Sequence, residues 1–493
     1  MYYYSTRNKK LKLTSAEAIK KGLSEEGGLF VPSELPKITS KDIDNLVGKS
    51  YIDRANYILK LFLTDFTSAE LSKCTSGAYG GGKFSSEKVA PLVRIGDEEY
   101  ILELWHGPTC AFKDMALQIL PYFMTTAMKK TGEDKEIVIL VATSGDTGKA
   151  ALEGFKDVDG TRIIVFYPED GVSDIQKLQM VTQEGKNVGV YGIDGNFDDA
   201  QNGVKKIFTC QGANAELNKN GFALSSANSI NWGRLVPQIV YYFSAYCDFA
   251  NSGRVNYGDK VDFAVPTGNF GNILACWYAK NMGLPVGKLI CASNQNNVLA
   301  DFFDNGVYDR NRIFYTTISP SMDILVSSNL ERLLYSVCKN DAEVAGYMKE
   351  LSETGKYEVS DAIKSVIGEN FVGGYCSDAD TKAVIGKVYA ENGYLMDTHT
   401  AVAFKKVIDY RAENAAVPTV VVSTASPYKF CDSVLEALGQ ETEGSGTQLI
   451  EKLSDFTKTS VPKPLAGLDK REKRFSLVTD KDDMEKVVAE FLL

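Results

Sequence analysis

The stretch HGPTCAFKD, residues 106–114, places a lysine where an ammonium is disfavoured. Residues 100–105 (YILELW) before it read as a short apolar strand. Residues 115–130 after it carry Met115, Ile119, Tyr122, Phe123 and Met128 at roughly helical spacing, with Asp114 acceptable as an N-cap. Lys113 then sits at the positive end of a helix, beside Phe112, in a turn that follows a buried strand. Both effects disfavour the charged amine. A partly neutral amine is what carbonyl and Schiff-base chemistry requires. The competing reading is that Lys113 snorkels to solvent, the commoner fate of a lysine at a helix start.

Three further segments repeat the pattern of a β-run ending in a loop of special residues. In EIVILVATSGDTGKAALEGF, residues 137–142 form the strand and 149–155 open a helix. Ser144, Asp146, Thr147 and the intervening backbone present N–H groups and hydroxyls suited to a carboxylate, although the same residues make ordinary turns and caps. In VDFAVPTGNFGNILACWYAK, Gly268 and Gly271 permit close approach of the backbone, so the N–H groups of residues 268–272 converge on a phosphate without any cationic side chain. This is neither GxGxxG nor a Walker loop, and a dinucleotide or ATP site is disfavoured. In PTVVVSTASPYKF, a buried strand ends at Ser423, Thr424 and Ala425. A hydroxyl there either caps a turn or bonds a pyridine nitrogen, which a neutral partner leaves largely unprotonated. An amine, a carboxylate cradle, a phosphate cradle and a ring-nitrogen partner together make a complete pyridoxal phosphate site.

Composition excludes other classes. The 493 residues are 44% hydrophobic and 24% charged, ordinary for a globular protein of two or three domains. A formal net charge of -10 argues against nucleic acid or an anionic membrane as partner. Nine cysteines without a CxxC pair are a reduced, cytosolic pattern, and Cys110 reads as a small buried filler rather than a nucleophile. Only His106 and His399 are present, so HExxH and His-rich metal sites are excluded. The first ten residues, MYYYSTRNKK, lack the apolar core of a signal peptide, and a cytoplasmic location is expected.

Residues 1–79 read as mainly helical, with 15–23 and 52–63 the best helices, ending in a flexible stretch at 75–88. Strands at 137–142, 163–167, 188–193, 261–266, 289–292 and 419–423 alternate with helical patterns. That alternation implies parallel, doubly wound α/β sheets with ligands beyond the carboxyl ends of the strands. The basic run KREKR at 470–474 reads as a solvated face.

These motifs carry a resemblance over nearly the whole chain. STR, GGLFVP, APLV, HGPTCAFKD, ATSGDTG, NSINWGRLVPQ, PTGNFGN, SMDI, NLERLL, MDTHTAVA and STASPYKF together resemble the threonine synthase family. The resemblance implies a fold-type II pyridoxal phosphate enzyme, tryptophan synthase β-like, with two doubly wound α/β domains and a mainly helical N-terminal subdomain. The implied division is 1–85 for that subdomain, 86–130 with 260–493 for the large cofactor-binding domain, and 131–259 for a small mobile domain.

By the same resemblance Lys113 is the Schiff-base lysine and proton shuttle. Gly268, Asn269, Phe270, Gly271 and Asn272 form the cofactor phosphate loop, and Thr424 is the partner of the pyridine nitrogen. Ser144, Asp146 and Thr147 close on the substrate carboxylate. Ser226, Asn228, Asn231 and Arg234 are candidates for the substrate phosphate, with a structural interdomain role the alternative for Arg234. The implied reaction converts O-phospho-L-homoserine and water to L-threonine and phosphate in a monomer or homodimer. A dehydratase or phospholyase of the same fold shares the cofactor loops, but the long N-terminal segment and NSINWGR favour the synthase. An idle binder of that fold is disfavoured by the presence of Lys113.

Overall fold

The computed structural model describes residues 1–170, 172–414 and 417–493, apart from the side chains of Asp198, Thr209 and Ala213. Two sheets organise it. The first runs, in spatial order, Phe371–Tyr375, Val286–Ser293, Val261–Pro266, Thr419–Ser423, Glu99–Glu103 and Leu92–Arg94, parallel except for the last, antiparallel edge strand. Its central strands, VDFAVP and TVVVS, are buried at every position, the continuous apolar pattern of a sheet covered on both faces. Register pairs Ala264 with Val421 and Ser423 with Glu103, so three carboxyl ends lie side by side. From those ends the chain enters residues 267–272, 424–430 and 104–114.

The second sheet is wholly parallel, in the order Val478–Asp480, Val188–Asp194, Thr161–Pro168, Glu136–Ala142 and Phe222–Ser225. Here the expected boundaries need correction. Residues 478–492 fall within the range expected for the large unit, yet Val478 pairs with Gly192, and Met484, Val488 and Leu492 pack in one cluster with Val138 and Leu140. The sequence MEKVVAEFL has its apolar residues on one stripe, and burying that stripe on the second sheet while Val478–Asp480 covers its edge satisfies both. Conversely, helix Trp232–Asn251 lies within the range assigned to the small unit but packs on helices Tyr51–Phe62 and Gly271–Met282. It is buried along most of its length, its few polar residues Arg234, Gln238 and Ser244 included, so it has little face for solvent.

The N-terminal region combines helices Ser15–Lys21, Ser40–Leu46, Tyr51–Phe62 and Ser68–Tyr79 with a three-stranded antiparallel sheet of Tyr3–Ser5, Asn8–Leu13 and Phe30–Pro32 that the helical reading missed. Thr14 with Glu17, and Thr67 with Glu70, close capping boxes that start two of these helices. The stretch expected to be flexible from residue 75 is helical as far as Tyr79. Among the described residues no helix is long and apolar enough to cross a membrane.

Candidate active site

Lys113 does not sit at the start of a long helix. Residues 114–130 divide into Asp114–Leu117 and Leu120–Lys130, with Lys113 itself at the cap position of the first. The Asp114 carboxylate reaches back instead of capping forward, accepting from Thr109 N–H at 2.8 Å and Thr109 Oγ1 at 2.7 Å. A four-residue helix carries little dipole, so burial is what depresses the Lys113 amine. Its pKa is pushed down to about 8, first by burial, against which Asp146 acts to raise it while Lys429 and Arg234 lower it further. Burial pushes the neighbouring Asp114 carboxyl up to about 7.

Around the Lys113 amine the contacts are polar but loose. Nζ lies 3.3 Å from Ser321 Oγ and 3.8 Å from Asp146 Oδ2. Asp146 Oδ1 accepts from Lys429 Nζ at 2.6 Å and from Gln176 Nε2 at 2.9 Å. Burial opposes ionisation of Asp146, yet the two ammoniums outweigh it and hold its pKa well below the usual carboxylate range. Behind Ser321, the backbone N–H donates to His399 Nε2 at 3.2 Å, and His399 Nδ1 faces Asp397 Oδ1 at 2.9 Å. Cys110 is buried with its thiol pushed up to about 12 by burial, in keeping with a filler.

The glycine loop forms a second group of donors. Phe270 adopts φ 64°, a left-handed turn that starts helix Gly271–Met282. The loop carbonyls are used, Gly268 O by Ser327 Oγ at 2.7 Å and Asn269 O by Asn329 N–H at 3.1 Å. The N–H groups of residues 268–273 have no acceptor among the described residues. A Cβ on Gly268 would meet Ser321 O at 2.7 Å, so only glycine fits this wall of the loop. The Asn272 Nδ2 group is buried without a partner, although Asn272 Oδ1 accepts from Tyr241 OH at 2.5 Å and Tyr242 OH at 2.7 Å. Unpaired amides at a helix start, with an orphaned buried donor beside them, fit a phosphate monoester. The residues present therefore fit pyridoxal phosphate.

Thr424 and the 144–147 loop complete the surroundings. Phe112 N–H donates to Thr424 O at 2.8 Å, tying the lysine loop to the end of strand Thr419–Ser423. Ser423 Oγ accepts from Trp105 Nε1 at 3.0 Å and Thr400 Oγ1 at 2.9 Å, whereas the Thr424 hydroxyl has no partner among the described residues. Thr143 Oγ1 accepts from Gly145 N–H at 3.0 Å and Gly148 N–H at 2.9 Å. That leaves the N–H groups of Ser144, Asp146 and Thr147 unpaired. The Asp146 side chain is not free to meet a carboxylate, because it is an ionised counter-ion to two lysines. Only its backbone suits that expected role.

The NSINWGR residues separate into two kinds. Asn231 is fully buried and committed to backbone, donating to Ile19 O and Ser226 O at 3.0 Å each and accepting from Gly233 N–H at 2.8 Å as the cap of helix Trp232–Asn251. It is a structural residue, and the expectation of a substrate contact is corrected. Ser226 Oγ likewise accepts from Asn228 N–H at 3.1 Å. Arg234 donates through Nη1 to Ala227 O at 2.5 Å, but its buried Nε has no partner and its charge is felt at Lys113. The half-buried Asn228 amide is unpaired among the described residues. Ser321, Lys429, Gln176 and His399 were missed as site residues. Ser321, Lys429 and His399 lie in motifs that signalled the family without signalling their own place.

Comparison with known proteins agrees with this geometry. The models "Threonine synthase N terminus", "Pyridoxal-phosphate dependent enzyme" and "Threonine synthase, C-terminal" match residues 2–79, 86–426 and 400–489. Threonine synthase-like 1 of Homo sapiens is 41% identical over 447 residues, which cover 88% of this chain and 59% of that protein. This chain thus matches less than two thirds of that relative's length. Threonine synthase of Pseudomonas aeruginosa is 40% identical, covering 89% of this chain and 91% of its own. The pyridoxal-phosphate-bound threonine synthase structure from Brucella melitensis superposes with TM-score 0.88 at 38% identity, covering 100% of this chain and 98% of that one. The architecture is that of fold-type II pyridoxal phosphate enzymes. On these matches, over a site built for that cofactor, the chain belongs to the threonine synthase family.

Proposed function

We propose that this chain converts O-phospho-L-homoserine and water to L-threonine and inorganic phosphate, with pyridoxal phosphate held by Lys113, residues 268–272 and Thr424. The observation that carries the reading is a buried amine, its pKa near 8, set beside two separate groups of unpaired donors. The reaction handles two phosphate esters, one stationary and one expelled, and the chain offers two places for them. The amides of residues 268–273 with Asn272 Nδ2 suit the stationary one. The Arg234 guanidinium and the Asn228 amide suit the one that leaves.

When bound, pyridoxal phosphate supplies an electron-withdrawing ring that acidifies hydrogens near the substrate nitrogen. Lys113 moves protons at the substrate's Cα and Cβ, a task matched to a pKa near neutrality, and the proton given up at Cβ balances the one that Cγ gains as it becomes the methyl group. The neutral Thr424 hydroxyl would pair with the ring nitrogen and would leave it largely unprotonated. The N–H groups of Ser144, Asp146 and Thr147 hold the substrate carboxylate. Overall, the C–O bond to phosphate breaks at Cγ and a C–O bond from water forms at Cβ. The unit that closes over substrate is the second sheet with its C-terminal cover, residues 131–225 and 478–492, because it carries the 144–147 loop.

Incubation with O-phospho-L-homoserine, with threonine and phosphate measured in the same sample, tests the reading. Equal amounts of both are expected. Phosphate released with 2-oxobutyrate and no threonine would assign the chain to the phospholyase alternative.

A further inference from the structure

Lys429 is a second buried lysine that the reaction as described does not use. Its side chain is 0% exposed, in the short turn Pro427–Lys429 after strand Thr419–Ser423. Nζ touches Asp146 Oδ1 at 2.6 Å and Thr109 O at 3.1 Å. One ammonium thereby joins three segments: the loop of Lys113, the start of helix Asp146–Phe155 and the end of the first sheet. The other oxygen of the same carboxylate is 3.8 Å from Lys113 Nζ. Asp146 is thus shared between two lysines, and Lys429 has the closer hold.

We propose that Lys429 is a positioning residue that lowers the proton affinity of Lys113, by drawing the Asp146 carboxylate away from it and by adding a second positive charge nearby. The charged groups facing Lys113 are Asp146 from helix Asp146–Phe155, Lys429 from the turn after strand Thr419–Ser423, and Arg234 from helix Trp232–Asn251. Ser321 adds only a neutral hydroxyl. Of the three charges, one favours protonation of Lys113 and two oppose it. Without Lys429, the Asp146 carboxylate loses its closer cation and keeps only Gln176 and Lys113 as partners, and one opposing charge is lost, so both changes raise the proton affinity of Lys113. A neutral residue at 429 would leave the site assembled but its amine harder to deprotonate. The proposal deepens the reading of Lys113 as the cofactor-bearing amine.

The test reads the amine itself in the full chain freed of cofactor, so it does not depend on turnover. Trace acetic anhydride is applied across pH 6–11, and acetylation at each lysine is mapped by mass spectrometry. Lys113 in the unaltered protein is expected to reach half-maximal reactivity at about pH 8. In Lys429→Met the midpoint is expected to rise by about one unit, so that Lys113 reacts about tenfold more slowly at pH 7. Lys429→Arg, which keeps the charge, is expected to stay near the original midpoint. Lys149, buried on helix Asp146–Phe155, the helix whose first carboxylate Lys429 holds, reports in the same digest whether each variant is folded. Should Lys429→Met fail that check, Asp146→Asn decides, with a Lys113 midpoint below that of the unaltered protein expected. An unmoved midpoint in folded Lys429→Met, or in Asp146→Asn, would overturn the proposal. Failure of threonine formation with these shifts intact would count against the proposed reaction and leave this inference standing.

Discussion

Replacing Gly268 by alanine perturbs the cofactor cradle with one methyl group. Gly268 is not in the left-handed region of φ, so alanine adopts its backbone conformation without strain and the effect isolates a contact. The added Cβ would lie 2.7 Å from Ser321 O and 3.3 Å from Met322 Cα, both backbone atoms that no rotamer change can move. Restoring ordinary contact requires the two segments to part by roughly 0.5–1 Å. Overpacking of that kind costs about 1–3 kcal/mol. Because the same Ser321 presents its hydroxyl to Lys113 at 3.3 Å, the displacement disturbs the phosphate cradle and the amine together. At about 1.4 kcal/mol per factor of ten, cofactor affinity is expected to fall roughly five- to a hundredfold. Titrating cofactor-free protein with pyridoxal phosphate and following absorbance gives the affinity, while the melting temperature checks that the fold persists. Unchanged affinity in a folded Gly268→Ala variant would refute the assignment of this loop as the cradle.

Thr424→Val removes a hydroxyl that bonds nothing in the protein, so cofactor affinity is expected to drop by about 1 kcal/mol with little change in the melting temperature of the cofactor-free chain. Asn231→Ala removes a helix cap and two bonds to backbone, and a loss of about 2 kcal/mol or more is expected in denaturant unfolding, ahead of any specific change in substrate affinity. The folded-state pKa of Lys113, about 8, lies below its unfolded value of ~10.4. Between them the unfolded chain binds more protons, so this group's contribution to stability is unfavourable below pH 8 and improves as pH rises. Cofactor-free Lys113→Met is accordingly expected to melt above the unaltered protein at pH 7, on the order of 3 kcal/mol more stable, with the gap narrowing by pH 10.

The sequence was most legible where one physical effect dominates. Strands 261–266 and 419–423 were read to the residue, because unbroken buried runs such as VDFAVP and TVVVS have no competing period. The strand-end loops were legible for the same reason, since glycines and hydroxyls punctuate the chain where each strand stops. Pairing was not legible. Strand Val478–Asp480 is three residues long and joins a sheet formed about 300 residues earlier, and no local pattern records such a partner. The helix ascribed to residues 115–130 is present but interrupted at Gln118 and Ile119, because Pro121 lacks the N–H that would bond back to Leu117 O. Lys429 shows a third kind of miss. A lysine in PYKF reads as a surface residue until the fold surrounds it with Asp146 and Thr109. Asn231 was placed correctly in a recognisable motif, yet its cap geometry assigns it to the scaffold.

Borohydride reduction of the cofactor-loaded protein, followed by peptide mapping, measures most directly whether Lys113 is the amine that holds pyridoxal phosphate. The expected result is a single modified peptide spanning HGPTCAFKD, with the label on Lys113 and none on Lys429 or Lys149. Label on another lysine, or a Lys113 peptide recovered unmodified from loaded protein, would contradict it.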